Sequence, residues 1–110
     1  MSKTRLEQLN EFLEASPGDA FILFAIAKEY ENLDNLPKAL EYYQLLEKDQ
    51  PDYVGTYYHL GKLYEKMEEP NKAFQTYKDG MVISKKAGDQ HAFSELAGAK
   101  LNLGDDEDFD

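Results

Sequence analysis

None of the 110 residues is cysteine, which excludes disulfides and thiol chemistry. Long apolar runs are also missing. The longest, Ala20 to Ala27, is eight residues, well short of the ~20 that a helix needs to cross a bilayer. Near the N-terminus, Lys3 and Arg5 are followed by Glu7 and Glu11 where a secretory signal would need an apolar stretch. The expectation is a cytoplasmic protein with no membrane partner. Positive charge is scarce, with 12 Lys and Arg against 22 Asp and Glu, a net charge of −10. Nucleic acid is therefore disfavoured as a partner, because phosphate binding needs a concentrated basic surface.

Catalytic groupings are absent as well. None of the four serines sits in an activating turn or beside a histidine. His59 and His91 could pair, but no third ligand accompanies them, so no metal site is assigned. The acidic stretch Asp105–Asp110 lacks the glycine and twelfth-position glutamate of a calcium loop. The remaining carboxylates are expected on solvent faces, where little shifts their pKa. The chain reads as non-enzymatic, with no cofactor.

What is present is a repeat. A shift of 34 residues lays Pro17 on Pro51, Lys28 on Lys62, Tyr30 on Tyr64, Glu31 on Glu65, Lys38-Ala39 on Lys72-Ala73, and Tyr43 on Tyr77. A fixed period of this length marks units that bury their apolar faces only by stacking on neighbours. Counting from Ala20, Leu23, Ile26, Ala27, Tyr30, Ala39, Tyr43, Leu46 and Pro51 take positions 4, 7, 8, 11, 20, 24, 27 and 32. Counting from Val54, the same places hold Tyr57, Leu60, Gly61, Tyr64, Ala73, Tyr77 and Gly80, with Lys85 replacing the closing proline. This pattern closely resembles the tetratricopeptide repeat. The resemblance implies an all-α fold, a right-handed α-α superhelix of about six helices, and a non-catalytic role in binding proteins.

The local signals divide the chain accordingly. Thr4-Arg5-Leu6-Glu7 has the form of a capping box, opening an N-terminal capping helix over 5–15. Repeat 1 covers 18–51, with Asp19 capping a helix at about 20–33 and Asp34-Asn35 turning the chain into a second at about 36–49. Repeat 2 covers 52–87, with helices at about 53–67 and from Pro70 to Ala87, the latter ending at Gly88. A C-terminal capping helix follows over 89–103, completing a single domain over 1–104. Lys100 replaces the tyrosine of position 11 there, which fits an outer face left to solvent. The acidic tail 105–110 is expected to be too polar to fold and to aid solubility, with docking into the groove as the alternative.

The resemblance also implies a binding surface, the concave groove lined by positions 2, 5, 9, 12 and 13 of successive first helices. Candidate groove residues are Phe21, Phe24, Lys28 and Asn32 in repeat 1, Tyr58, Lys62 and Lys66 in repeat 2, and His91 in the last helix. Aromatic rings with lysines on an acidic protein form a local reversal of sign, suited to an extended peptide with acidic and apolar side chains. The family's carboxylate clamp for chaperone tails is not kept: its places hold Phe24, Lys28, His59, His91 and Glu95. The leading expectation is an adaptor for a peptide or protein partner. The alternative is a self-assembling scaffold, with exposed Phe21, Phe24 and Tyr58 sealing a homodimer.

Overall fold

The computed structural model describes residues 2–109 and contains six α-helices and one short 3₁₀ turn, with no strand among the described residues. The chain forms two compact units that divide between Gln50 and Pro51.

The first unit holds α1 (Arg5–Ala15), α2 (Ala20–Asn32) and α3 (Leu36–Asp49). The capping box forms as expected: the Glu7 N–H donates to Thr4 Oγ1 at 3.1 Å, and the Glu7 carboxylate accepts from the Thr4 N–H at 3.2 Å. Asp19 caps α2 by accepting from the Ile22 N–H, and Asn35 caps α3 by accepting from the Lys38 N–H. Leu9, Leu23, Ile26, Ala27, Ala39, Tyr43 and Leu46 form the core, each large side chain contributing ~1.5–3 kcal/mol by leaving water. The Gln50 side-chain amide donates to the Gly18 carbonyl, tying the end of α3 to the start of α2.

The second unit holds α4 (Gly55–Lys66), α5 (Pro70–Ala87) and α6 (Gln90–Leu103). Helix α5 is the centre of this unit and packs against both α4 and α6. Small residues set the closeness: Gly61 faces the Tyr77 ring, and Gly80 faces Tyr57 and Leu96. Gly88 stops α5 at φ 73°, and Asp89 caps α6 through the Ala92 N–H at 3.0 Å.

Two features repeat between the units. The turns after α2 and α4 are the same, with the Asn35 N–H donating to the Tyr30 carbonyl and the Glu69 N–H to that of Tyr64, both at 2.8 Å. Asp34 and Glu68 adopt φ 59° and 61° at the bends. In addition, the buried Tyr43 hydroxyl donates to Glu31, and that of Tyr77 donates to Glu65. Burial, then the neighbouring carboxylate, holds both phenols well above the ordinary tyrosine range. These two glutamates are therefore not simply solvated, contrary to the sequence expectation.

Two expectations need correction. Helix α4 was expected from about residue 53 behind Asp52, but it begins at Gly55 without a side-chain cap. A tighter turn serves instead, with the Thr56 and Tyr57 N–H groups donating to the Tyr53 and Val54 carbonyls at 3.2 and 3.3 Å. The acidic tail also folds: Asp106–Phe109 form the 3₁₀ turn, and Phe109 stacks on Phe74 of α5 rather than entering the groove. The reason is its one aromatic ring, which finds an apolar platform flanked by lysines. Asp110 lies outside the described residues.

Candidate functional site

The candidate groove residues fall into two groups, one in each unit. In the first, Phe21, Phe24, Lys28 and Asn32 come together on α2 around a hollow of about 310 Å³. Their spacing along the helix places them on one face. Arg5 of α1 joins them, 3.7 Å from Glu29. The sequence reasoning missed this arginine, although α1 was already expected as an N-terminal capping helix. Phe21 is open to solvent, at 69% exposure. Phe24 and Tyr58, expected to be exposed, are both half-buried. The Phe24 ring meets the core ring of Tyr43 edge-on at 6.1 Å, so it belongs partly to the folding core.

In the second unit, α4 and α6 enclose two hollows that share Tyr58 and Glu95. One, about 360 Å³, is lined by Val54, Tyr58, His59, His91 and Glu95 among others. The other, about 240 Å³, is lined by Tyr58, Lys62, Ser94, Glu95, Gly98 and Asn102 among others. Lys62 reaches over the Tyr58 ring at 5.6 Å and lies 3.7 Å from Glu65, so its charge is partly balanced. His91 lies 3.7 Å from Glu95. Lys66 is exposed at the end of α4 and lines neither hollow.

The local reversal of sign is therefore weaker than expected here. Lys62 and His91 are offset by Asp89 and Glu95 on the same walls. Chemically the α4–α6 face offers an aromatic floor, one lysine, and the hydroxyl and amide of Ser94 and Asn102. Such a set binds main-chain groups and apolar side chains rather than a dense negative charge. His59 and His91 share a hollow, but no group of three or more metal-ligating side chains occurs among the described residues.

Comparison with known proteins decides the family. The tetratricopeptide repeat profile matches residues 54–81. The crystal structure of a tetratricopeptide repeat domain protein from Salinibacter ruber is 44% identical, with a TM-score of 0.74, over 77% of this chain and 94% of that one. The chain belongs to the tetratricopeptide repeat family. A solution structure of a tetratricopeptide repeat domain protein from Salinibacter ruber agrees, at 43% identity and TM-score 0.77 over 80% of this chain and 89% of that one. A protein from Bordetella parapertussis shares the fold, at 22% identity and TM-score 0.79 over 93% of this chain and 89% of that one. No curated protein matches the chain. The fold class is thus the all-α tetratricopeptide repeat superhelix class, as the 34-residue period predicts. Tetratricopeptide repeats in general are protein–protein interaction modules and typically non-catalytic. No helix among the described residues is long and apolar enough to cross a membrane.

Proposed function

We propose that this chain is a non-catalytic, cytoplasmic adaptor that holds an extended peptide or protein segment on the α4–α6 face, the α2 hollow of the first unit being a separate candidate surface. The observation that carries the reading is the pair of adjoining hollows sharing Tyr58, one rimmed by Lys62 and the other by His91. An apolar side chain of the ligand rests on Tyr58, while its main chain meets Lys62, Ser94 and Asn102. Buried aromatics of this kind commonly contribute ~2 kcal/mol or more to an interface. The test is selection from a random peptide library on the immobilised chain. Selected peptides should lose binding on Tyr58→Ala and shift in charge preference on Lys62→Glu. Enrichment that ignores both changes contradicts the reading.

The self-assembly alternative draws support from Phe21, whose 69% exposure leaves a large ring in water. On that reading, Phe21→Ala turns an oligomer into a monomer in sedimentation. A monomer for the unaltered chain at high concentration leaves the adaptor alone.

A further inference from the structure

The C-terminal turn marks a different surface, on α5 and the outer side of α6. Gly104 bends the chain back at φ 148°, a conformation that side chains rarely adopt, and a Cβ there would lie 2.7 Å from Asp108 Oδ2. The turn holds itself together, with the Asp105 N–H donating to the Asp108 carboxylate at 2.8 Å. Phe109 then lies flat on Phe74, with ring centroids 4.2 Å apart and planes 13° apart. Two lysines flank that platform, with Lys100 Nζ 4.9 Å and Lys78 Nζ 5.8 Å from the Phe74 ring. Lys100 also pairs with Asp106 at 3.3 Å.

The surface does not stop at the docked ring. Lys78 and Lys100 also line a hollow of about 240 Å³, completed by Met81, Val82, Lys85 and Phe93. Its floor is apolar, and Val82 is 57% exposed. Among the described residues, three lysines and no carboxylate line it, on a chain whose net charge is −10. This is the concentration of positive charge that the α4–α6 face lacks. The segment already seated beside it is acidic at Asp105, Asp106, Glu107 and Asp108 and carries one aromatic ring.

We propose that the α5–α6 face is a second peptide-binding surface, specific for an acidic segment bearing an aromatic residue, with the chain's own C-terminal turn acting as an intramolecular competitor at its entrance. Lysines supply long-range attraction that salt screens, and the Phe74 platform supplies the aromatic contact. A segment tethered by so short a link competes at an effective concentration on the order of millimolar. With an intrinsic dissociation constant of ~0.1 mM for the turn itself, any competing ligand is weakened about tenfold, since only the undocked fraction is competent.

The probe is a fluorescein-labelled peptide of residues 103–110, LGDDEDFD, added to the full-length protein. Phe109→Ala should bind it about tenfold more tightly than the unaltered chain. Asp106→Lys changes an exposed side chain and breaks the Lys100 pair, so it provides a second release that does not disturb the core. In either background, Lys78→Glu with Lys85→Glu should abolish binding, as should replacing the peptide's acids by their amides. Equal affinity for the unaltered and released proteins, indifference to the amide peptide, or no binding to either released variant overturns the proposal. Neither releasing change touches a residue of the α4–α6 hollows, so this result stands apart from that of the library selection.

Discussion

Gly61 is where the packing of α4 on α5 is least forgiving. A Cβ built there falls within the volume of the Tyr77 ring, against Cε1 and 2.7 Å from both Cδ1 and Cζ. Tyr77 cannot swing aside cheaply, because it is fully buried and its hydroxyl donates to Glu65. Gly61→Leu therefore forces α4 and α5 apart, costing ~1–3 kcal/mol for overpacking, and disturbs a hydrogen bond to a charged group worth ~1.5–3 kcal/mol. Replacing glycine inside a helix returns ~1 kcal/mol. The net loss is ~1.5–5 kcal/mol, or a fall in melting temperature of roughly 6–22 °C for a chain of this size. Gly61→Ala should fall between, since the first unit buries Ala27 at the same repeat position. Gly98 is the control: it is also helical, yet a Cβ there meets nothing within 4 Å. Gly98→Ala should gain up to ~1 kcal/mol. Thermal melts by circular dichroism decide the matter. Equal shifts for Gly61→Leu and Gly98→Ala would refute the reasoning.

Three further outcomes are expected. The buried Thr56 hydroxyl has no hydrogen-bond partner among the described residues, so Thr56→Val should stabilise by ~1 kcal/mol or more; a lower urea midpoint would contradict this. Glu68 holds φ 61°, where a non-glycine residue costs ~1–2 kcal/mol, so Glu68→Gly should gain about 0.5–1 kcal/mol after glycine's own entropy cost; no gain would show that the bend carries no strain. Tyr43 and Tyr77 titrate higher folded than unfolded, and free tyrosine titrates near pH ~10. Below that pH both states keep the proton; above it the unfolded chain releases protons that the folded chain retains. Stability is thus complete below pH ~10 and falls with rising pH, by up to ~1.4 kcal/mol per pH unit for each tyrosine. Replacing both with phenylalanine should flatten that slope in denaturant midpoints measured from about pH 9 to pH 11.5; an unchanged slope would assign it elsewhere.

The helices were legible because their signals are local. Thr4, Asp19 and Gly88 each satisfy backbone groups within a few residues. Gly61 was legible as the repeat position that Ala27 also occupies, but the Tyr77 ring it faces was not. The start of α4 was not, because Asp52 carries a capping side chain but a turn at Tyr53 and Val54 takes over the cap's work. The Tyr43–Glu31 and Tyr77–Glu65 bonds left a trace that went unused, since both partners recur together at the 34-residue period. Composition hid the fold of the tail: five acidic residues outweigh one phenylalanine in any average. Its platform lies on Phe74, distant in sequence. The candidate site was legible as positions but not as surroundings. Nothing around Phe24 in sequence announces its edge contact with Tyr43, and nothing around Lys62 shows that Glu95 shares its wall.

The adaptor reading rests on the α4–α6 face, and amide chemical-shift mapping of the isotopically labelled chain tests it most directly. The chain is titrated with a library-selected peptide, and the shifts are placed on the structure. The account predicts perturbations concentrated at Tyr58, His59, Lys62, Ser94, Glu95 and Gly98, removed by Tyr58→Ala. Perturbations confined to other surfaces, or persisting at full size in Tyr58→Ala, would contradict it.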